Sequence, residues 1–351
     1  MQQKEKRHQK LKLFLILIAV VLIGVFAFRT WNLYQKKLKT DAEAAAWQNG
    51  DQSTPDGTED FGIVRNTIEY KGNTYKRNTY VKAILCMGID RDTDLTKKKQ
   101  AGAGGQSDGV FLIAQDSARD TVKILAIPRD TMTKIILTDL SGNVLGEDTQ
   151  HLTLAYAYGD GQKLSCEYMS KAVTELLGGL QIDGYMAVSM RALGMINDSV
   201  GGVTVTIDDK GLITRDPEFE YGKTITLKGD QAEAYIRYRD ITVDQSAVTR
   251  LERQKGYIEE FSKSMRRTAA KKEGFITDLL DDLAPYMVTN LTKDQFLEMG
   301  MAFLKSSQTL GDEDIEMLPG EGVEGDWYDE YIPDLEKAQE MVLDLFYRVE
   351  K

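Results

Sequence analysis

Five arginines, two aspartates and a glutamine stand at the ends of apolar or amphipathic runs, and together they make a set suited to handling phosphate. Asp90 follows the apolar run 81–88 in GIDR (88–91), at the carboxyl end of an expected strand. Open α/β sheets bind their ligands there, although aspartate is also an ordinary turn former in that place. Asp108 stands in Gln106-Ser107-Asp108, between the unpatterned stretch KKKQAGAGG and the apolar run 109–114. A long loop of this kind suits a site that admits a ligand; as a solvated surface loop it would carry no chemistry. Arg129 ends the run 122–127 in IPRDT (127–131), and its planar five-donor fork suits phosphate unless Asp130 or another carboxylate takes it. Arg237 and Arg239 lie two apart, on one face if the chain is extended, while Arg250, Arg253 and Gln254 share one face of a helix. Clustered guanidiniums repel one another unless an anion lies between them. A pyrophosphate would serve, and so would Asp240, Asp244 and Glu252.

Composition narrows the alternatives. The 351 residues carry a net charge of -11, with only two His and two Cys. His8 lies near the start, which leaves His151 as the one imidazole in the bulk of the chain, too few for a His-rich zinc site. A Ser/His/Asp device would have to run through His151. There is no CxxC pair, and Cys86–Cys166 is the single intramolecular disulfide the chain could form. Any bound metal would be held mostly by carboxylate oxygens, which favours a hard cation such as magnesium or calcium. Lys4, Lys6, Arg7, Lys10 and Lys12 against Glu5 give residues 1–12 a charge of +4, leaving -15 on residues 13–351. An acidic body of this kind argues against nucleic acid as the partner.

The elements that must position these residues can be read from hydrophobic period. Residues 13–28 (LFLILIAVVLIGVFAF) contain no charge and follow a basic segment. A signal-anchor over 13–31 is expected, with residues 1–12 in the cytoplasm and the remainder outside; a signal peptide cut near Val25-Phe26-Ala27 is the rival reading. Residues 32–60, rich in turn formers, read as a stalk. Beyond it, short β-rich runs at 81–88, 110–114, 122–127 and 203–207 alternate with helical patterns at 164–177, 190–197, 231–235 and 247–265. That interleaving predicts an α/β fold, three layers α-β-α around a central mixed sheet, over 61–270. Residues 271–351 read as a mainly helical extension packed on the same domain, with no visible chemistry.

An ordered series of segments carries a resemblance: GIDR at 88–91, SD at 107–108, IPRDT at 127–131, LTLAYAYGDG at 152–161, DGYMAVSM at 183–190, DSVGGVTV at 198–205, LKGDQAEAYIRYRD at 227–240 and RLERQ at 250–254. The chain from about residue 80 to 265 resembles the LytR–CpsA–Psr family of cell-envelope proteins. The resemblance implies an extracytoplasmic phosphotransferase, which takes a glycopolymer such as teichoic acid or capsular polysaccharide from an undecaprenyl-pyrophosphate carrier and joins it to peptidoglycan by a phosphodiester bond. It implies Asp90 and Asp108 as Mg²⁺ ligands, and Arg129, Arg237, Arg239, Arg250 and Gln254 as pyrophosphate contacts, with Arg253 also on the motif. It implies a single-pass protein of a Gram-positive-type envelope, with the body outside the membrane. The sequence departs from the family pattern in two places. Gln106 and Gly109 flank Ser107-Asp108 where the family commonly has Arg and Thr, and Ala247 occupies the place of an Asp, which leaves Asp244 as the candidate general base. The alternative function is a non-catalytic, membrane-anchored binder of polyprenyl phosphate or glycan.

Overall fold

Alternation of buried residues along the strand Val81–Ile89 sets the architecture, because its two faces must be covered by different helices. The computed structural model describes residues 64–91, 95–240, 246–305, 310–325 and 328–350. The expected cytoplasmic tail (1–12), signal-anchor (13–31) and stalk (32–60) and the candidate base Asp244 lie outside the described residues. Among the described residues no helix is long and apolar enough to cross a membrane.

The strands are β1 (Thr67–Tyr70), β2 (Asn73–Arg77), β3 (Val81–Ile89), β4 (Ser107–Asp116), β5 (Thr121–Ile127), β6 (Met132–Thr138), β7 (Val144–His151), β8 (Gly184–Ser189), β9 (Thr204–Thr206), β10 (Thr224–Thr226), β11 (Met287–Thr289), β12 (Ile315–Met317), β13 (Gly320–Glu324), β14 (Asp329–Pro333) and β15 (Tyr347–Val349). The helices are α1 (Thr153–Ala157), α2 (Lys163–Leu176), α3 (Leu193–Ser199), α4 (Asp230–Arg237), α5 (Ser246–Ala269), α6 (Phe275–Leu283), α7 (Lys293–Lys305) and α8 (Leu335–Phe346).

Among the described residues six strands form the central mixed sheet, in the order β11-β8-β3-β4-β5-β12. β3, β4 and β5 run as an antiparallel meander, β8 joins β3 in parallel, and β12 joins β5 in parallel. On one face Val81, Ala83, Leu85, Met87 and Ile89 meet Tyr156, Cys166, Met169 and Val173 of α1 and α2 and Phe346 of α8. On the other, Phe111, Ile113, Val122 and Ile124 meet Ile258 of α5, Phe303 of α7 and Leu310. A separate apolar cluster joins β9 and β10 to helices α3 to α6 through Val203, Val205, Tyr235, Tyr257 and Phe275. Burying these side chains contributes about 1.5–3 kcal/mol apiece, before the entropy of ordering is set against it.

One expectation is corrected. The region 271–351 is not simply helical: it supplies both outer strands of the central sheet, and it supplies the β13–β14 hairpin. Three-residue strands such as β11 and β12 are too short to show a period of two in sequence. The two cysteines are free, because Cys166 lies on the same face as Leu85 and Met87, and strand alternation turns Cys86 away from it.

Candidate functional site

Antiparallel pairing brings distant sequence segments to one end of the sheet. The carboxyl end of β3, the amino end of β4 and the carboxyl ends of β5 and β8 lie along the same edge, so Asp90, Asp108 and Arg129 become neighbours. The β3–β4 ladder pairs Gly88 with Gly109 and Ile89 with Ser107, which leaves Asp108 as the extra residue of a bulge. Bulges re-aim side chains, and here the unpaired residue is the carboxylate. Beyond the bulge the ladder resumes as Asp90 N–H donates to Gln106 C=O at 2.8 Å. Gly88 leaves room at this end for Met190, whose sulfur would have to shift away from a Cβ placed 2.9 Å from it.

The loop leading into β4 is pinned rather than loose. Lys99 N–H donates to Asp160 C=O and Gly102 N–H to Ala157 C=O, each at 2.7 Å, and Gly104 lies so close to Gly161 that a Cβ would collide with its Cα. The lysines of that loop stay solvated, as a surface reading of them requires.

Arg129 sits in a turn after Pro128, closed by Thr131 Oγ1 donating to Pro128 C=O at 2.6 Å. Its fork is shared three ways: Nη1 to Asp108, Nη2 to Gln106 Oε1 at 3.0 Å, and Nε to Asp130 Oδ1 at 3.1 Å. Gln106, a departure from the family pattern, therefore serves as an acceptor for the site arginine. Arg239 Nη1 lies 3.6 Å from the other oxygen of Asp130, while its Nη2 donates to Asp329 Oδ2 at 3.0 Å. Arg237 donates through Nη1 to Glu233 at 2.7 Å and through Nη2 to Asp90. Burial works against its charge, but Glu233, Asp90 and Asp108 outweigh that, and its pKa is raised.

Arg250 differs from the others. It is buried, and it makes no hydrogen bond or ion pair among the described residues. Burial pulls its pKa down to about 10, with Arg129 and Arg239 pushing the same way and Asp108 and Asp130 opposing. A guanidinium kept charged at that cost, beside two others, is suited to an anion that arrives from outside.

Arg253 and Gln254, expected on the motif as pyrophosphate contacts, have hydrogen-bond partners within the protein. Arg253 Nε donates to Tyr235 C=O at 2.8 Å, Nη2 to Tyr238 C=O and Nη1 to Asp209 Oδ2 at 3.2 Å, so every nitrogen of the fork is occupied within the protein. Gln254 Nε2 donates to Ile236 C=O at 3.4 Å. Both close the carboxyl end of α4, whose last carbonyls lack helical partners. They hold the segment that carries Arg237 and Arg239. That segment is itself a correction: Arg237 is the last residue of α4 and Arg239 lies beyond it, instead of both projecting from one extended strand.

Tyr238 is fixed on several sides. Arg215 and Arg253 lie 5.1 Å and 5.3 Å from its ring centre, and its hydroxyl fills the space over Gly211. An added methyl at Gly211 would overlap the hydroxyl, so Gly211→Ala is expected to cost about 1–3 kcal/mol, read as a lower Tm in a thermal melt. An unchanged Tm would show that Tyr238 is not held there.

Three contributors were not legible as site residues: Gln106, Glu233 and Asp329. Asp329 comes from β14, whose neighbour Tyr331 docks by donating its N–H to Asp130 C=O at 2.9 Å. No signal in the acidic 320–333 segment marked it. His151 packs edge-on to Tyr328 with ring centres 6.4 Å apart and touches none of the arginines through a described hydrogen bond.

Among the described residues no group of three or more His, Cys, Asp or Glu could hold a metal ion. Asp90 and Asp108 offer oxygen donors only, and each already meets a guanidinium. Such a pair fits a hard cation that takes one or two carboxylates and completes its shell with phosphate oxygens and water.

A mixed α/β sheet whose strand ends gather guanidiniums and two carboxylates is an arrangement suited to a protein that handles anions such as phosphates. The chain belongs to the LytR_cpsA_psr family, whose model matches residues 35–345. It is 32% identical over 261 residues to the polyisoprenyl-teichoic acid–peptidoglycan teichoic acid transferase TagU of Bacillus cereus, covering 73% of this chain and 75% of that one. The fold is similar to protein gbs0355 of Streptococcus agalactiae, with a TM-score of 0.60 at 23% identity over 78% of this chain and 90% of the other. It is also similar to a structure described as TagT bound to LI-WTA, with a TM-score of 0.56 at 21% identity over 76% and 90% of the two chains.

Proposed function

We propose that this protein is a glycopolymer transferase of cell-wall biogenesis, which joins a glycopolymer from an undecaprenyl-pyrophosphate carrier to peptidoglycan. The observation that carries the reading is Arg250, a buried arginine with no hydrogen bond or ion pair among the described residues, set among Arg129, Arg239, Asp108 and Asp130. The similarity to transferases named for moving teichoic acid to peptidoglycan supports the same reaction.

In this reading a peptidoglycan sugar hydroxyl attacks the phosphorus next to the glycan. The new P–O bond forms as the bond to the carrier phosphate breaks, and prenyl phosphate leaves. Arg129, Arg239 and Arg250 would neutralise charge that grows on the transferred phosphoryl oxygens, and Arg237 would join them from the end of α4. Asp90 and Asp108 would hold Mg²⁺, which supplies charge neutralisation and orientation at the pyrophosphate. Asp108 and Asp90 keep Arg129 and Arg237 aimed into the site until the donor arrives. Asp244 is the proposed base for the acceptor hydroxyl. The anchor at 13–31 would hold the body outside the cell, beside a lipid-linked donor and far from nucleic acid.

The full-length chain in detergent, given a prenyl-pyrophosphate disaccharide and peptidoglycan fragments, should form product only with magnesium present. Asp90→Asn with Asp108→Asn should lower the rate by roughly a hundredfold or more. Normal turnover by that double variant would remove the metal role. Retention of donor without turnover by the wild-type protein would favour a binder over an enzyme.

A further inference from the structure

One arginine at the mouth of the site belongs to none of the motifs. Arg215 ends the short helical turn 210–214, is exposed, and lines a cavity of about 500 Å³ together with Arg237, Arg239, Tyr238, Asp230 and Glu233. Its side chain makes no hydrogen bond or ion pair among the described residues, and its guanidinium lies 5.1 Å from the centre of the Tyr238 ring. Tyr238 is itself packed against Gly211 and Arg253, so the contact offers Arg215 a firm surface to rest on while leaving its N–H donors uncommitted among the described residues. The carboxylates of the cavity are differently placed: Glu233 is engaged by Arg237, and no ion pair joins Asp230 to Arg215. The arginines thus form a series of decreasing burial, from Arg250 through Arg239 and Arg237 to Arg215 at the solvent edge.

We propose that Arg215 is a specificity-determining residue that receives a second phosphodiester group, carried on the glycan part of the donor just beyond the pyrophosphate. This rests on the transferase reading above and extends it from the linkage to the polymer. An anion bound to Arg237 and Arg239 leaves the cavity past Arg215. A donor with a phosphate in its first repeat would meet a fork there that pairs with no described residue, whereas a neutral glycan would find no use for it. Arg215 acts on donor affinity and touches none of the reacting atoms.

The test compares two synthetic donors, a prenyl-pyrophosphate disaccharide and the same compound bearing one glycerol phosphate on the distal sugar. The full-length wild-type chain is expected to show a KM roughly five- to tenfold lower for the phosphorylated donor, with similar kcat for both. Arg215→Gln should erase the difference by raising only the KM of the phosphorylated donor, with Tm unchanged, and Arg215→Lys should restore part of it. Equal KM values in the wild-type protein, or a loss in Arg215→Gln that falls alike on both donors, overturns the inference and leaves the transferase reading intact. Failure of the wild-type chain to transfer either donor overturns the transferase reading, and the inference falls with it.

Discussion

Arg250→Met is expected to fold at least as stably as the wild-type protein while losing transfer by roughly 10²- to 10³-fold. The arginine is buried without a hydrogen bond or ion pair among the described residues, and burial lowers its pKa to about 10. At neutral pH it is charged both folded and unfolded, so the folded state carries the whole cost of keeping that charge out of water. A shift from 12.5 to about 10 corresponds to about 3 kcal/mol at pH 7, a penalty that fades only as pH rises from about 10 towards the unfolded value. Methionine keeps much of the stem and removes the charge, so the penalty goes with it. A thermal melt beside a transfer assay checks both halves. A clearly lowered Tm with transfer retained would make Arg250 a structural residue and remove the main support for an anion site.

The neighbouring residue on the same helix should behave in the opposite way. Arg253→Ala strands two backbone carbonyls at the end of α4 and the carboxylate of Asp209, all of which its fork now serves. Breaking a buried charged network of this kind costs about 3–5 kcal/mol. Urea titration should show a lower midpoint with an unchanged slope, which marks a change in stability and not in the extent of unfolding. Arg253→Lys should recover little, because one ammonium cannot span three acceptors fixed in different directions. Full stability combined with lost donor binding would return Arg253 to the ligand set.

These opposed outcomes mark where the sequence could be read and where it could not. The runs 81–88, 110–114 and 122–127 are strands in the structure, and 164–177 and 247–265 fall on helices α2 and α5, because long apolar patterns determine which face is buried. β7 was invisible: Val144–His151 is solvent-exposed along most of its length and has no apolar alternation to betray it. The spacing of Tyr235-Ile236-Arg237-Tyr238-Arg239 suggested an extended chain, yet it spans a helix end, where one turn passes into the next element. Motif position placed Arg250 and Arg253 alike. Only the carbonyls of α4, which a sequence does not display, separate an arginine with no hydrogen bond or ion pair among the described residues from one already engaged. The pair Arg239–Asp329 was beyond reach for a similar reason, since it depends on a hairpin folding back across ninety residues.

The origin of the outer strands has a consequence for how the chain matures. β11 and β12 come from residues 287–289 and 315–317, while the strands they cover, β8 and β5, are complete by residue 189. A polypeptide emerging amino end first therefore leaves both strand edges bare together for about a hundred residues of synthesis. Unpaired edges are templates for association with other chains. Until its carboxyl-terminal third arrives, those edges stay open to such pairing.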